Sequence, residues 1–230
     1  RGRCGWRLPR DRKDALTVLV AYYHPARAGY CTAQVRNLLA CAFVERVIIS
    51  NHNPLLRLDL PARLRDERVT IVEAGTKCGC GHRWHVAAAF HPQYLLVIDD
   101  DVFLFPGQIA RLFRHLLDAP ERPHGVAGMR RLPDDALSYH CQEDLGVDFL
   151  CEVYAVTLSH LLRYLKLEDQ LLQNGVAFAS IDRYADFAVV SRAGSEKPAI
   201  HDVGHILRCP TFKTPGIAVH RTGGFDEAVG

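Results

Sequence analysis

Four short apolar runs, separated by helical or turn-rich segments, constrain the fold of this 230-residue chain more than any other feature. The runs are LTVLVAYY from Leu16, RVIIS ending at Ser50, VTIVE ending at Glu73 and YLLVI ending at Ile98. Each is bounded by Asn, Pro, Gly or Asp, which is typical of buried parallel strands. Strands that alternate with helices predict an α/β fold in which helices flank a mixed, mostly parallel sheet.

Apolar residues spaced three and four positions apart predict the helices. These stripes cover Val35 to Ala42, about 82–90, Pro106 to Leu117, 158–165 and about 182–192. A further strand is expected in VDFLCEVYAVT, whereas residues 130–146 and 201–230 are rich in polar and turn-forming residues and are expected to be irregular. No internal repeat divides the chain, so we predict one domain over residues 1–230.

The charge and composition exclude several classes of partner. A net charge of +2 and a pI near 8.2, without a basic stripe, argue against nucleic acid. No apolar window is long enough for a transmembrane helix, so we expect no integral membrane segment in this fragment. The chain begins at Arg1 without a signal-like apolar stretch, and its eight cysteines lack the spacing of a disulfide scaffold. These observations therefore do not identify the cellular compartment of the protein.

Three consecutive aspartates follow the fourth apolar run. In an extended chain Asp99 and Asp101 point to one side and Asp100 to the other. Their mutual repulsion must be offset by raised pKa values or by a cation, and an oxygen-rich site of this kind suits Mn²⁺ or Mg²⁺ with a diphosphate. The simpler alternative is that one aspartate caps the next helix while the others are solvated. Because ligands of open α/β sheets bind beyond the carboxyl ends of strands, we favour a metal–diphosphate site.

The segment DDDVFL matches the motifs of two enzyme classes. In phosphatases of the haloacid-dehalogenase type an Asp-x-Asp pair ends the first strand of the domain, and Asp99 would then be the nucleophile and Asp101 the acid. In nucleotide-sugar glycosyltransferases of the GT-A fold the pair follows a longer stretch of α/β structure. Three strand-like runs precede Asp99 here, and this position favours the second pattern.

Several segments resemble the exostosin-type glycosyltransferase domain. LTVLVAYYHPAR is similar to its first strand and nucleotide loop, RVIISNHNP to its second strand, and GHRWHVAAAF to its Asn-Arg-Phe segment, with Arg83 at the arginine. The segments around YLLVIDDDVFLFPG and DFLCEVYAVT resemble its aspartate strand and its acceptor-side strand, and RYADFAVVSRAG resembles its Glu-Asp helix. The family's Glu and Cys are replaced by Ala185 and Tyr184. The resemblance therefore does not transfer a substrate specificity or a disulfide.

The resemblance implies a single GT-A domain whose nucleotide-sugar half spans about 15–130 and whose acceptor half spans about 131–230. It implies a metal-dependent glycosyltransferase that moves a sugar from a nucleoside diphosphate sugar, a UDP-sugar by analogy, to a glycan or other hydroxyl acceptor, with retention of configuration. It also implies that the protein is located in the Golgi or ER lumen. Without this resemblance, we would expect a cytoplasmic protein.

Site residues follow from the same resemblance together with the chemistry of diphosphate departure. Asp101, Asp99 and the late His220 are expected to hold the metal, although His220 could equally lie in a surface loop. The candidates for nucleotide-sugar binding are Tyr22, Arg27, Asn51, Asn53, Arg83, Asp99 and Asp100. For Asn51 and Asn53, a purely turn-forming role is equally compatible with the sequence.

Asp186 and Asp182 are the candidates for catalysis. Either could stabilise positive charge on the sugar or position the acceptor hydroxyl. Four residues apart on a predicted helix, they would share one face, and the alternative is a solvated acidic face.

The segment KCGCGHRWH offers a competing site, because Cys78, Cys80, His82 and His85 are potential zinc ligands. This spacing is not that of a recognised zinc finger, but it leaves a zinc-organised binding protein without catalysis as a third hypothesis. The alternative is that Gly79 and Gly81 let a loop pass close to the nucleotide while the histidines open the next helix.

Overall fold

A nine-stranded sheet organises the computed structural model, which describes residues 14–215 and residue 217. Eleven strands occur in the described residues, and two of them, β5 and β11, form a separate small sheet. In chain order the strands are β1 (Leu16–Tyr22), β2 (Val44–Asn51), β3 (Val69–Glu73), β4 (Tyr94–Asp99), β5 (Val102–Phe103), β6 (His124–Arg131), β7 (Leu137–Cys141), β8 (Leu145–Gly146), β9 (Phe149–Thr157), β10 (Ala199–Ile200) and β11 (Leu207–Arg208).

Helices lie between β1 and β2, between β3 and β4, between β5 and β6, and between β9 and β10. They are α1 (Pro25–Ala28), α2 (Cys31–Leu39), α3 (His82–Ala89), α4 (Pro106–Asp118), α5 (Leu158–Gln173), α6 (Phe178–Ser180) and α7 (Asp186–Ser191). A π-helical turn, Ile181–Ala185, lies directly before α7, and short 3-10 turns cover Ala62–Leu64 and Pro210–Lys213. None of the helices in the described part of the chain has both the length and the apolar character needed to cross a bilayer.

The order of strands in the large sheet is β3-β2-β1-β4-β9-β6-β10-β8, with β7 added to β6. Strands β1 to β4 run parallel to one another, whereas β9 is antiparallel to both β4 and β6. Each face of the sheet is covered by helices, and two apolar clusters form the core. On β1, Val18 and Val20 pack into the cluster with α2 and α4, while Leu19 packs into the cluster with Trp84. This confirms the predicted α/β class with a mixed, mostly parallel sheet.

The second half differs from the sequence prediction. Residues 124–131, HGVAGMRR, form the interior strand β6, although their pattern predicts no strand, and β7 and β8 lie in a segment expected to be irregular. Two glycines explain why β6 lacks the apolar pattern of a strand. A side-chain carbon on Gly128 would lie 2.6 Å from the Phe149 carbonyl oxygen, and one on Gly125 would lie 2.8 Å from the Val153 carbonyl oxygen. The strand tolerates glycine because β9 passes so close.

Candidate active site

The aspartates lie where β4 ends, in the middle of the sheet. Asp99 is the last residue of β4 and is level with Ala21 of the neighbouring parallel strand β1. The chain then turns through Asp100 and Asp101 before β5. The side chain of Asp99 is 32% exposed, whereas those of Asp100 and Asp101 are 7% and 8% exposed. The cluster therefore opens to solvent mainly through Asp99.

Arg27, in the short helix α1, binds two of the three aspartates. Its Nη1 donates to Asp100 Oδ1 at 2.5 Å, and its Nη2 lies 2.7 Å from Asp101 Oδ2. The prediction that Asp100 points away from Asp101 is therefore wrong, because the extended backbone on which the alternation depends stops at Asp99. Arg27 also donates from Nε to Thr211 Oγ1 at 3.2 Å, so the segment after β11 covers it.

Arg83 connects Asp99 to Asp186. Its Nη1 donates to Asp99 Oδ1 at 2.6 Å, and its Nε and Nη2 donate to Asp186 Oδ2 at 3.0 and 2.8 Å. The same Asp186 oxygen accepts from Trp84 Nε1 at 2.9 Å, and the guanidinium carbon lies 4.8 Å from the centre of the Tyr154 ring. Arg83 is 4% exposed and is thus fixed from three sides before any ligand arrives.

This arrangement differs from the catalytic role expected for Asp186. The Asp186 carboxylate is 4% exposed and lies behind Arg83, so it does not face the opening beside Asp99. A carboxylate in this position fixes the orientation of the guanidinium and keeps it charged. In this structure the Asp186 carboxylate orients Arg83, and its catalytic role stays a prediction.

Four carboxylates share two guanidinium groups at this site, so these six residues carry a formal charge of −2 when all four carboxylates are ionised. Burial, together with the charge of Asp99, raises the pKa of Asp101 to about 8 in spite of Arg27. Burial likewise raises the pKa of Asp100 to about 6, and it raises that of Asp99 despite the opposing effect of Arg83. The site is therefore electrostatically prepared for a further cation.

Asp182 has a different environment from Asp186. Its two carboxylate oxygens accept from the backbone N–H groups of Gly79 (2.7 Å) and His82 (2.9 Å), and its carbonyl oxygen accepts from Gly81 N at 2.7 Å. It thus caps the start of α3 from a distant part of the chain, where Gly81 offers no side-chain cap. The expected regular helix from 182 is wrong, because residues 181–185 form a π-helical turn that presents Asp182 to this loop.

Gly79 and Gly81 are required by this contact with Asp182 rather than by a ligand. A side-chain carbon on Gly79 would lie 2.6 Å from Asp182 Oδ2 and closer still to its backbone oxygen. We expect Gly79→Ala to lower the free energy of unfolding by about 1–3 kcal/mol, the usual range for overpacking. Urea unfolding measures this, with Gly75→Ala as the control, since nothing lies within 4 Å of a carbon added at Gly75. Equal stability of the two variants would contradict the assignment.

Tyr22 and Asn51 make their hydrogen bonds inside the protein, and their role as nucleotide contacts stays a prediction. Both are fully buried; Tyr22 donates its hydroxyl to Gln34, and Asn51 donates from Nδ2 to the Leu56 carbonyl and to Glu73. Asn53 also bonds within its loop, donating to the Tyr23 carbonyl oxygen at 3.0 Å. The turn-forming alternative therefore describes both asparagines.

Glu152 is a site residue that the sequence analysis missed. It lies in β9 next to Val153, which pairs with Ile98 of β4, so it is adjacent to Asp99 across the sheet. Its carboxylate accepts from Tyr139 Oη at 2.7 Å and from Arg208 Nε at 2.9 Å. Its φ of 66° is costly for a residue with a side chain, and such strain is concentrated at functional sites. The one available signal was a glutamate inside the apolar run FLCEVYAV.

The proposed zinc ligands around residue 80 do not converge. Cys78 donates to the Thr76 carbonyl oxygen, the His82 ring meets the edge of His52 at 5.1 Å between centres, and His85 Nε2 lies 2.8 Å from Glu168. Within residues 14–215 and 217, the four do not form a group with ligand atoms close enough for one metal ion. His82 and His85 do lie at the start of α3, as the alternative predicted. His220 lies outside the described residues.

Comparison with known proteins gives a result at the level of the fold. No family model matches the chain, and no curated protein matches it in sequence. Among solved structures, the chain is similar to the crystal structure of GalNAc-T7 with UDP, GalNAc and Mn²⁺, at a TM-score of 0.55 and 7% identity. The superposition covers 89% of this chain and 47% of that one, so this chain spans about half the length of its neighbour.

The chain therefore has a GT-A-like fold, a single mixed α/β sheet flanked by helices, like that of a known glycosyltransferase. The phosphatase pattern has its aspartates at the end of the first strand, whereas Asp99 ends the fourth strand of the described residues. The position of the aspartates thus differs from that of the phosphatase pattern.

Proposed function

We propose that this chain is a metal-dependent glycosyltransferase that transfers a sugar from a UDP-sugar to a glycan or other hydroxyl acceptor. The observation that carries the proposal is the cluster of Asp99, Asp100 and Asp101 at the carboxyl end of β4, where these three carboxylates and that of Asp186 share only two arginines, within a GT-A-like fold. Retention of configuration and a UDP-linked donor rest on the resemblance of short segments to the exostosin-type domain. The predicted donor half (about 15–130) and acceptor half (about 131–230) are part of the same proposal.

Asp99 and Asp101 are the residues proposed to hold Mn²⁺ or Mg²⁺. Carboxylate oxygens are suitable ligands for both ions, and the unbalanced charge of the site matches a divalent cation. When bound, such a cation neutralises the charge of the departing diphosphate. His220 remains a proposed third ligand.

We propose that Arg27 and Arg83 hold the aspartates in position for the metal ion and the diphosphate. Arg27 holds Asp101 and Asp100 together, so that like charges stay close without a ligand. Arg83, oriented by Asp186, holds Asp99 from the protein side and leaves the opposite side of that carboxylate toward the opening. Preorganised charges of this kind stabilise a transition state at little reorganisation cost.

Glu152 is the carboxylate we propose for the acceptor side, in place of Asp186 and Asp182. It is adjacent to Asp99, and its pKa is raised by burial, against the effect of Arg208. A carboxylate here could orient an acceptor hydroxyl or accept its proton. The hydrogen bonds from Tyr139 and Arg208 keep it in one orientation.

Calorimetry with UDP tests the proposal directly. We expect UDP to bind in the presence of Mn²⁺ and to bind far more weakly without it, since the carboxylates repel a diphosphate until a cation is present. The absence of UDP binding both with and without Mn²⁺ would contradict the proposal. An equally strong response to inorganic phosphate would instead indicate an anion site without nucleotide specificity.

A further inference from the structure

A second group of potential metal ligands lies away from the aspartates. His115 is in the last turn of α4, Asp144 lies just before β8, and His201 follows β10. One ligand atom from each residue lies within 4.8 Å of the other two. Since α4 starts at Pro106 and rises about 1.5 Å per residue, His115 is roughly 14 Å further along the helix axis. The group is thus separate from the candidate active site.

The histidines of this group are held in a defined arrangement. The rings of His115 and His201 stack with their centres 3.7 Å apart and their planes within 6°. His201 Nε2 lies 2.8 Å from Nδ1 of His124, and His124 Nε2 lies 2.8 Å from the carbonyl oxygen of Ala119. Two imidazoles and one carbonyl therefore form a continuous series of polar contacts, and the His115 ring stacks against one end of it.

The Ala119 carbonyl oxygen, at the end of this series of contacts, determines which histidine nitrogens carry a hydrogen. A carbonyl oxygen only accepts, so Nε2 of His124 carries the hydrogen and Nδ1 of a neutral His124 is an acceptor. His201 must then donate from Nε2, and the Nδ1 of a neutral His201 carries a lone pair. That nitrogen faces Asp144 Oδ1 at 3.2 Å. Two acceptors in this position need either a proton or a metal ion between them.

We propose that His115, Asp144 and His201 bind a zinc-type divalent cation. Two imidazole nitrogens and one carboxylate oxygen are common Zn²⁺ ligands, and three protein ligands leave a fourth position for water. His124 and the Ala119 carbonyl form the outer shell that fixes the tautomer of His201, as is usual for metal-bound histidine. Imidazole lone pairs lie in the ring plane, so the His115 ring must rotate out of its stack on His201 to reach the ion, while the exposed Asp144 (72%) moves toward it.

The bound ion would tie together three parts of the chain that are distant in sequence. It would link the end of α4 with the turn before β8 and with the exit of β10, whose strand has only two residues. Short strands add few backbone hydrogen bonds, so a cross-link there stabilises the edge of the sheet. The role we assign to the ion is therefore structural.

The test is a titration of metal-stripped, reduced protein with Zn²⁺ against a chromogenic chelator, together with the visible spectrum of the Co²⁺ form. The variants are Asp144→Asn and His115→Ala. Asp169→Asn, an exposed acid on α5, is the matched control, and Cys78→Ser with Cys80→Ser controls for the cysteine-containing loop. Circular dichroism verifies that each variant is folded, which the exposure of Asp144 favours.

One equivalent of Zn²⁺ is expected to bind the unmodified chain, and Asp144→Asn and His115→Ala are each expected to weaken it at least 10-fold. The two controls should leave it unchanged, and the Co²⁺ spectrum should lack thiolate charge-transfer bands. The proposal is overturned by the absence of stoichiometric binding, which would make His201 and Asp144 a simple ion pair, by unchanged affinity in both variants, or by thiolate bands. Because Asp144→Asn leaves the aspartates at β4 intact, Mn²⁺-dependent UDP binding separates this result from the proposed function.

Discussion

Arg83→Met is expected to lower the free energy of unfolding by about 3–5 kcal/mol, the range for breaking a buried ion pair by removing one partner. Methionine keeps much of the apolar volume beside Trp84 and Tyr154, so the loss reports charge rather than packing. Without Arg83, the buried carboxylate of Asp186 keeps only the indole N–H among the donors seen here. Urea unfolding at neutral pH measures the effect.

Two further variants make this expectation specific. Arg46→Met removes an arginine that lies 5.1 Å over the Phe90 ring at the surface, and we expect it to cost much less. Arg83→Met combined with Asp186→Leu should recover part of the stability, because no lone charge is then buried beside Trp84. If Arg83→Met unfolds at the same urea concentration as Arg46→Met, the network around Asp186 does not hold the fold together.

Asp101→Asn is expected to weaken Mn²⁺-dependent UDP binding by on the order of 100-fold or more. Losing even an outer-shell partner of a metal ligand costs about 10–100-fold in affinity, and loss of a ligand should exceed that range. Calorimetry with UDP and Mn²⁺ is the measurement. Asp118→Asn, an exposed acid at the end of α4, is the matched control and should bind like the unmodified chain.

The same substitution should leave stability unchanged or raise it in the absence of metal. The pKa of Asp101 is raised in the folded state to about 8, chiefly by burial and by Asp99, so the unfolded chain binds fewer protons between about pH 4 and pH 8. Stability therefore falls as pH rises through this window, and asparagine removes that dependence. A variant that loses both UDP binding and stability would indicate a structural residue instead of a ligand-binding one.

The first four strands and the place of the aspartates were predictable because both depend on local pattern. A buried parallel strand must be an apolar run, and Asp99 follows such a run directly, so its position at the carboxyl end of β4 was visible in the letters YLLVID. The same reasoning located α3 and α4 to within a residue or two. Periodicity is reliable where the core sets the spacing of residues.

The partners of the charged groups were not predictable, because they depend on approaches between distant segments. Arg27 and Asp100 are 73 positions apart, and Gly79 and Asp182 are 103 positions apart. Asp182 could be recognised as an acid in a polar stretch, but not as the cap of α3. Strand β6 was missed for a related reason, since its glycines fit the backbone of β9 and leave no apolar alternation.

The contact between Arg27 and Thr211 has a consequence for the order in which the protein is made. The two residues are separated by 184 positions, and the Cys209 N–H that donates to the Asp101 carbonyl oxygen at 2.8 Å belongs to the same late segment. A ribosome delivers β1 to β4 long before it delivers β11. The parallel strands can thus assemble first, while the acidic cluster stays uncovered until the segment after β11 has been made, and nascent chains carry an open, negatively charged cleft until then.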